Sequence, residues 1–421
     1  MAVYKLFPSQ DATLYSYYPA MNTGLDAICE VSNKLDPLIA GEIPMVSRYL
    51  TQFDTDEIKD IMTNQISSSL YGVFLKNFIS EAQGVNLSVK IEIRPVAESW
   101  NNGTGHYLDN PEVQNGCSWG WRNYSGSGRW ATTGSYNGYP IVGSYNPLYS
   151  TQGGGSWYED IDPSGSLYVT TGYVTTGYVS GPTSSLNPYG VFGYVTPGYW
   201  QGATLNINSL TQSFALRDPK DIEVPVTSIV DVWNNDTIPN NGFLVKLSGS
   251  AEFNTSKYEQ PILKYYSVDT NTIYPPLLEF RWRDYTSSIS NDSPLIVDTS
   301  DIKLSLSENP QEFNQDAVNR FYVNVSPLYP TRVFQTSSLY TGLSYLPTAS
   351  YYAVKDLDTN EFVINFDDLY TQISSDSEGN YFDIYMNGLE PERYYSVLIK
   401  TKIDGATLIF DDENYFKVIN G

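Results

Sequence analysis

The segment Val85 to Val96, VNLSVKIEIRPV, alternates apolar and polar side chains, the period-two pattern of a strand with one buried face. Shorter runs of the same kind, broken by Gly, Pro, Asn and Ser, recur from Val3 to Ile419 and leave little of the chain for helices. The 36 Tyr favour strands, while the 31 Gly and 24 Pro punctuate turns, so the chain is predicted to be all-β. With 41% hydrophobic and only 17% charged residues it can bury enough apolar surface to offset chain entropy, which excludes the disordered class. At 421 residues it exceeds what one core fills, so at least two domains are expected.

Residues 1–285 read as the first domain. Strand candidates around Leu14-Tyr15 and Ile28 to Val31 flank the turn Met21-Asn22-Thr23-Gly24, and Ser47 to Phe53 follows with Tyr49 inward. Asp54 to Met62 is predicted as a helix, with Asp54 as N-cap and acids in the first turn. Ser69 to Ala82 has helical or mixed spacing and fits either element, as does Val226 to Trp233. In 99–134, Trp100, Trp119, Trp121 and Trp130 lie among glycines, predicting long connections whose aromatics plug a core. Further strands are expected at Asn206 to Leu216, Ile222 to Val226, Gly242 to Leu247, Ile262 to Val268 and Pro276 to Trp282. The Ser/Asp/Pro-rich stretch 286–298 reads as a linker. In 299–421, short segments at Ile302–Leu306, Phe321–Val325, Tyr351–Lys355, Tyr381–Met386, Tyr394–Ile403, Ala406–Phe410 and Tyr415–Ile419 predict a small β-sandwich of immunoglobulin or fibronectin type.

Charge and motif content narrow the chemistry. A net charge of −23 argues against nucleic-acid or anionic-membrane partners, which need clustered Lys and Arg. The opening MAVYKLFPSQDATLY lacks an apolar signal core, and no run approaches the roughly 20 apolar residues of a membrane span. Cys29 and Cys117 allow at most one bridge and are expected as reduced, buried thiols. The single histidine, His106, sits in a Gly-rich loop, and neither a G-x-S-x-G elbow nor a phosphate loop occurs, so His106 is read as a surface residue. No catalytic residue, cofactor or metal site is assigned. Carboxylates abound, but none has the spacing of an EF-hand loop.

Residues 135–202 differ from everything around them: YVTTGYVTTGYVSGP repeats a five-residue unit, and GYVTPGYW echoes it. Five residues cannot make a solenoid repeat, so the stretch reads as a Tyr/Gly-rich insertion. Tyrosine gives large amphipathic contact area at low entropic cost, so the two readings are packing on the parent domain and an arm that contacts a neighbour. Tyr168, Tyr173, Tyr178, Tyr194, Tyr199 and Trp200 are the contact residues on the second reading.

Four blocks resemble the DNRLRE-type jelly-roll domain of bacterial surface and carbohydrate-associated proteins. They are Asp11-Ala12-Thr13-Leu14-Tyr15 with Asn22-Thr23-Gly24; Glu98-Ser99-Trp100-Asn101-Asn102-Gly103-Thr104-Gly105 with Cys117-Ser118-Trp119; Val232-Trp233 with Pro239-Asn240-Asn241-Gly242-Phe243; and Pro275-Pro276-Leu277-Leu278-Glu279-Phe280. The resemblance implies an N-terminal jelly-roll β-sandwich. Leu389-Glu390-Pro391-Glu392-Arg393-Tyr394-Tyr395 resembles the tyrosine corner of fibronectin-like domains, in which the Tyr anchors the next strand. Across both domains, from KLFPSQDATLYS to YFKVING, the chain is similar to virion structural proteins of marine contractile-tailed phages of the cyanophage kind. That resemblance implies a non-enzymatic tail, baseplate or neck component, assembled in the host cytoplasm, with other virion structural proteins as partners in a multi-copy homo- or hetero-oligomer. The competing reading is a carbohydrate-binding or host-receptor-binding module, adhesin-like, with glycan contact through exposed Trp or Tyr. An enzyme such as a polysaccharide lyase or glycosidase has no acid/base constellation behind it.

Overall fold

The computed structural model describes residues 2–35, 44–85, 88–131, 133–136, 139–146, 151–158, 210–256, 260–289, 302–307, 309–327, 344–403 and 405–420. Strands account for 48% of it and helices for 9%, so the chain is all-β, built of curled and mostly antiparallel sheets. It divides into two compact units: Phe7–Lys59 with Phe74–Leu278, and Met1–Leu6, Asp60–Val73 and Glu279–Gly421.

The larger unit is organised around the strand Pro44–Gln52, buried at nearly every position. It pairs with Gln10–Tyr15, with Ile28–Leu35 and with Phe243–Leu247. The sheet extends from Phe243–Leu247 through Ser88–Pro95 to Leu210–Ala215, and from Ile28–Leu35 through Ile262–Tyr266 to Ile79–Gln83. Ser69–Ala82, ambiguous by spacing, forms strands Tyr71–Asn77 and Ile79–Gln83. The predicted helix is present as Thr55–Asp60, continued by a π turn over Ile61–Gln65, and the Asp54 carboxylate accepts the Asp56 and Glu57 N–H groups at 2.8 and 3.0 Å. Val226–Trp233 resolves as the helix Thr227–Asn234, which turns Ile229, Val230 and Trp233 inward.

Trp100, Trp119 and Trp130 do plug the core, packing with Ala12, Leu14, Val46, Leu50 and Leu244. Trp121 does not. The chain turns between the two indoles, with the Trp121 N–H on the Ser118 carbonyl at 3.3 Å, and leaves Trp121 half-exposed beneath the Arg129 guanidinium, 4.0 Å from the ring centre. Cys29 and Cys117 are buried and unbridged, as expected.

In the smaller unit one sheet runs Ile302–Ser307, Val318–Pro327, Asn380–Tyr385, Ser374–Ser375. The other runs Glu312–Asn314, Tyr415–Ile419, Tyr394–Ile403, Ser350–Asp356, Phe362–Ile364, with Ala406–Phe410 also paired to Tyr394–Ile403. Glu312–Asn314 lies parallel to Tyr415–Ile419. Between the sheets, Phe382 stacks on Tyr352 at 4.2 Å and on Phe321 at 5.6 Å, with Phe313, Tyr395 and Phe416 around them. Val3, from the strand Ala2–Leu6, sits in the same core. The start of the Ser-rich stretch read as a linker, 286–289, runs beside Ser374–Ser375, where the Ser288 N–H meets the Ser375 carbonyl at 3.0 Å.

Tyr395 is buried, and its hydroxyl donates to the Glu390 carbonyl at 2.9 Å, clamping the turn that Pro391 initiates. A buried hydroxyl–carbonyl bond contributes about 1 kcal/mol net, and the carbonyl left behind adds to the loss. Tyr395→Phe should therefore lower unfolding stability by about 1–2 kcal/mol in urea melts with no change in circular dichroism. An unchanged midpoint would show that the turn is held without this bond.

Candidate functional site

Past the strand Gln10–Tyr15 the chain makes a tight turn, and the resemblance-bearing blocks meet on it. The Asn22 amide nitrogen donates to the carbonyls of Asn102 (2.6 Å) and Cys117 (2.8 Å), while its oxygen accepts the Gly105 N–H at 2.7 Å. Asn102 returns a bond to the Gly24 carbonyl at 2.5 Å. Gly24 has no room for a side chain, because a Cβ would stand 2.2 Å from the Asn102 oxygen. Beside them the Thr23 hydroxyl donates to the Thr13 carbonyl at 2.7 Å and accepts the Thr13 N–H at 3.0 Å, replacing a strand neighbour with a side chain. The Trp100 indole N–H reaches the Asn241 carbonyl at 2.9 Å, which brings the third block onto the second. These motif residues satisfy buried backbone groups that would otherwise cost 1–3 kcal/mol each. Their role is to fix two loops against each other.

What the two loops present is aromatic. Tyr15 and Tyr107 lie 4.9 Å apart, Tyr18 meets Tyr107 edge-on at 6.2 Å, and Tyr17 meets Tyr18 at 5.0 Å. Tyr17 and Tyr107 are each 44% exposed, and Leu108 beside them is exposed too. His106 is a surface residue, with Nδ1 3.6 Å from the Asp26 carboxylate, which also accepts the Tyr107 N–H at 3.0 Å. Burial pushes Asp26 up, opposed by that N–H and by His106, and burial likewise raises Asp269 and Tyr107. The result is a preformed amphipathic surface of tyrosine faces with carboxylates at its margin, suited to contact. The sequence does not group these tyrosines, since Tyr107 is far along the chain from Tyr15 to Tyr18 and the two loops are brought together by bonds between segments, those of Asn22, Asn102 and Asp26 among them.

The insertion has its root in the larger unit. The strand Thr151–Tyr158 pairs with Tyr139–Asn146 and docks on the core: the Gly154 N–H donates to the Trp119 carbonyl at 2.6 Å, the Ala97 N–H to Ser156 at 2.9 Å, and Tyr158 is buried. Gly153 has φ +136°, and a Cβ there would fall 2.0 Å from the Trp119 oxygen. The Arg48 guanidinium, 1% exposed, donates to the Gly154 carbonyl at 2.6 Å and to Glu252 at 2.5 Å, between the rings of Trp119 (5.0 Å) and Trp157 (5.3 Å). Tyr168, Tyr173, Tyr178, Tyr194, Tyr199 and Trp200, the contact residues expected from the sequence, lie outside the described residues. Among the described residues no group of three or more His, Cys, Asp or Glu side chains is placed to hold a metal ion, and no helix is long and apolar enough to cross a membrane.

No protein-family model matches the chain, and no curated protein matches it.

Beneath the tyrosines Asp11, the first residue of the first block, is 1% exposed and accepts the Val268 N–H at 2.7 Å. Burial raises its carboxyl from 3.8 to about 7, with Asp269 and Asp26 adding to the rise and the Val268 and Cys29 bonds opposing it. Because the folded value lies above the unfolded one, this group stabilises fully below about pH 4, and the contribution is lost as pH rises through 7. The loss is at most on the order of 4 kcal/mol. Asp11→Asn keeps an acceptor for Val268 and removes the titration. The stability difference, variant minus wild type, should grow from pH 5 to 7 and level off by pH 8.5 in urea melts. A difference independent of pH would contradict the assignment.

Proposed function

We propose that this chain is a non-enzymatic structural subunit of a tailed-phage virion, a tail, baseplate or neck component that holds neighbouring subunits by preformed surfaces. The observation that carries the reading is the anchored root of the Tyr/Gly-rich insertion. The core holds the strand Thr151–Tyr158 of that insertion with the buried Arg48 and the Trp119 indole, and the strand brings Trp157 and three closely packed glycines to meet them. Such anchoring suits an arm that bears load between subunits. On this reading Tyr168, Tyr173, Tyr178, Tyr194, Tyr199 and Trp200 contact the neighbour, and the sequence resemblance names the kind of particle.

In finer terms, the larger unit is a jelly roll and the smaller an immunoglobulin-like sandwich. The strand order supports the second assignment: one sheet has an order like that of the first, second, fifth and fourth strands of an immunoglobulin domain, and the other includes an order like that of its last, sixth and third. The Tyr395–Glu390 bond supplies the tyrosine corner.

A second reading, a glycan- or receptor-binding module, is favoured by the exposed Tyr17 and Tyr107, with the half-buried Tyr15 and Tyr18 packed against them and Asp26 and Asp109 beside them. Both readings meet in one experiment. Deleting 160–205 while keeping the docked strand Thr151–Tyr158 should leave a chain that folds with unchanged circular dichroism but fails to enter particles when it replaces the wild type during infection. Normal incorporation would overturn the arm. Retention of the wild-type chain on a glycan array, lost in Tyr17→Ala/Tyr107→Ala, would favour the second reading.

A further inference from the structure

Several aromatic rings at the surface carry a cation of the chain's own. Arg129 lies 4.0 Å from the centre of Trp121, Arg320 4.1 Å from Tyr381, Lys400 4.8 Å from Tyr351 and Lys417 6.0 Å from Tyr394. The rings of Tyr15, Tyr17, Tyr18 and Tyr107 differ: among the described residues no Lys or Arg is placed over any of them. His106, the neighbour of Tyr107, turns its Nδ1 toward Asp26 instead.

The four rings are arranged to receive a cation. Tyr17 stands at 89° to Tyr18 and Tyr18 at 83° to Tyr107, with centres 5.0 and 6.2 Å apart. A ring that meets its neighbour edge-on leaves a re-entrant corner, in which one group can touch two faces at once. Tyr17 and Tyr107, at either side of Tyr18, are both exposed, so these corners are open to solvent. The field around them is negative. Burial raises the Tyr15 and Tyr107 hydroxyls above their ordinary range, and the charges of Glu30 and Asp26 push both the same way. The carboxylates at the margin are turned to the loop: both Asp26 oxygens accept the Tyr107 N–H, at 3.0 and 3.1 Å, and Asp109 accepts the His106 N–H at 2.7 Å. They offer a ligand field rather than hydrogen bonds.

We propose that the corner of Tyr17, Tyr18 and Tyr107 is a binding site for a quaternary ammonium group, of the kind carried by choline or by a trimethylated lysine. Such a group has no N–H to satisfy, so ring faces and a negative field meet all its needs. A primary ammonium has three donors, and the Asp26 oxygens that would accept them are already engaged. A phosphate next to the ammonium would be repelled by the same carboxylates, so choline is preferred to phosphocholine. The inference rests on the tyrosine surface being a binding site, as in the second reading above, and not on the chain being a virion subunit.

The test is saturation-transfer NMR on the full chain with tetramethylammonium chloride as the probe. Transfer to its methyl protons is expected, saturating in the millimolar range, about 1–10 mM. Choline should displace the probe, and n-butylammonium and phosphocholine should do so poorly. Choline and a trimethyllysine peptide, titrated separately, tell the two sources apart by which displaces it at the lower concentration. Tyr107→Ala and Tyr17→Ala should each weaken binding about ten-fold, and Tyr107→Phe, which keeps the ring, about two-fold or less, all with unchanged circular dichroism. No transfer at about 50 mM probe, transfer undiminished by both alanine variants, or displacement by n-butylammonium as effective as by choline overturns the proposal. A chain held on a glycan array through Tyr17 and Tyr107 that gives no transfer would keep the surface as a glycan site and overturn the ammonium.

Discussion

A guanidinium taken out of water is expensive unless its donors and its charge are met, and Arg48 sits 1% exposed at the middle of the strand around which the larger unit is built. Three segments distant in sequence meet it. Glu252 supplies the opposite charge, Gly154 a carbonyl, and Trp119 and Trp157 the faces on which a weakly hydrated planar cation can rest. Lys246 extends the network, 2.9 Å from Glu92 and 3.5 Å from Glu252. A pair of this kind contributes little net stability compared with an apolar replacement. Breaking it by removing one partner, however, costs about 3–5 kcal/mol, because the other charge is stranded. The network therefore acts as a condition on assembly: central strand, tryptophan loop, Thr151–Tyr158 and the turn at 249–253 must all be in place together. That condition is what fixes Thr151–Tyr158, a strand of the Tyr/Gly-rich insertion, on the core.

A second constraint acts at the loops that carry the exposed tyrosines. Asn22 and Asn102 saturate one another's backbones, and the glycines around them are there because the loops approach within the radius of a methyl group. Hence the motifs Asn22-Thr23-Gly24 and Trp100 to Gly105 report on architecture. The surface they hold up is encoded by residues outside them, Tyr15, Tyr17, Tyr18 and Tyr107.

Much of the smaller unit was legible in the sequence, because strands such as Asn380–Tyr385 turn alternate residues to one core. The bounds of Tyr394–Ile403, Ala406–Phe410 and Tyr415–Ile419 coincide with those read from the sequence. Ser69–Ala82 resisted because its strands Tyr71–Asn77 and Ile79–Gln83 are not cleanly two-faced: Gly72 and Val73 are both buried, and so is Asn77. Trp119 and Trp121 share one sequence environment, and only the reversal at Ser118 to Trp121 separates a core indole from a surface one. The membership of Ala2–Leu6 in the smaller unit's core has no local signal, since AVYKL alternates like any strand of the larger one. The tyrosine surface and the Arg48 site were illegible for the same reason. Both are made by bonds between segments tens to hundreds of residues apart, and alternation carries no such information.

On the proposed function the chain is a structural part of a virus particle. Mass spectrometry of purified virions, with immunogold labelling against this chain, should then find it in intact particles at a fixed copy number, with label confined to tail, baseplate or neck. Particles that lack the chain, with the protein recovered only free in the lysate, would contradict it.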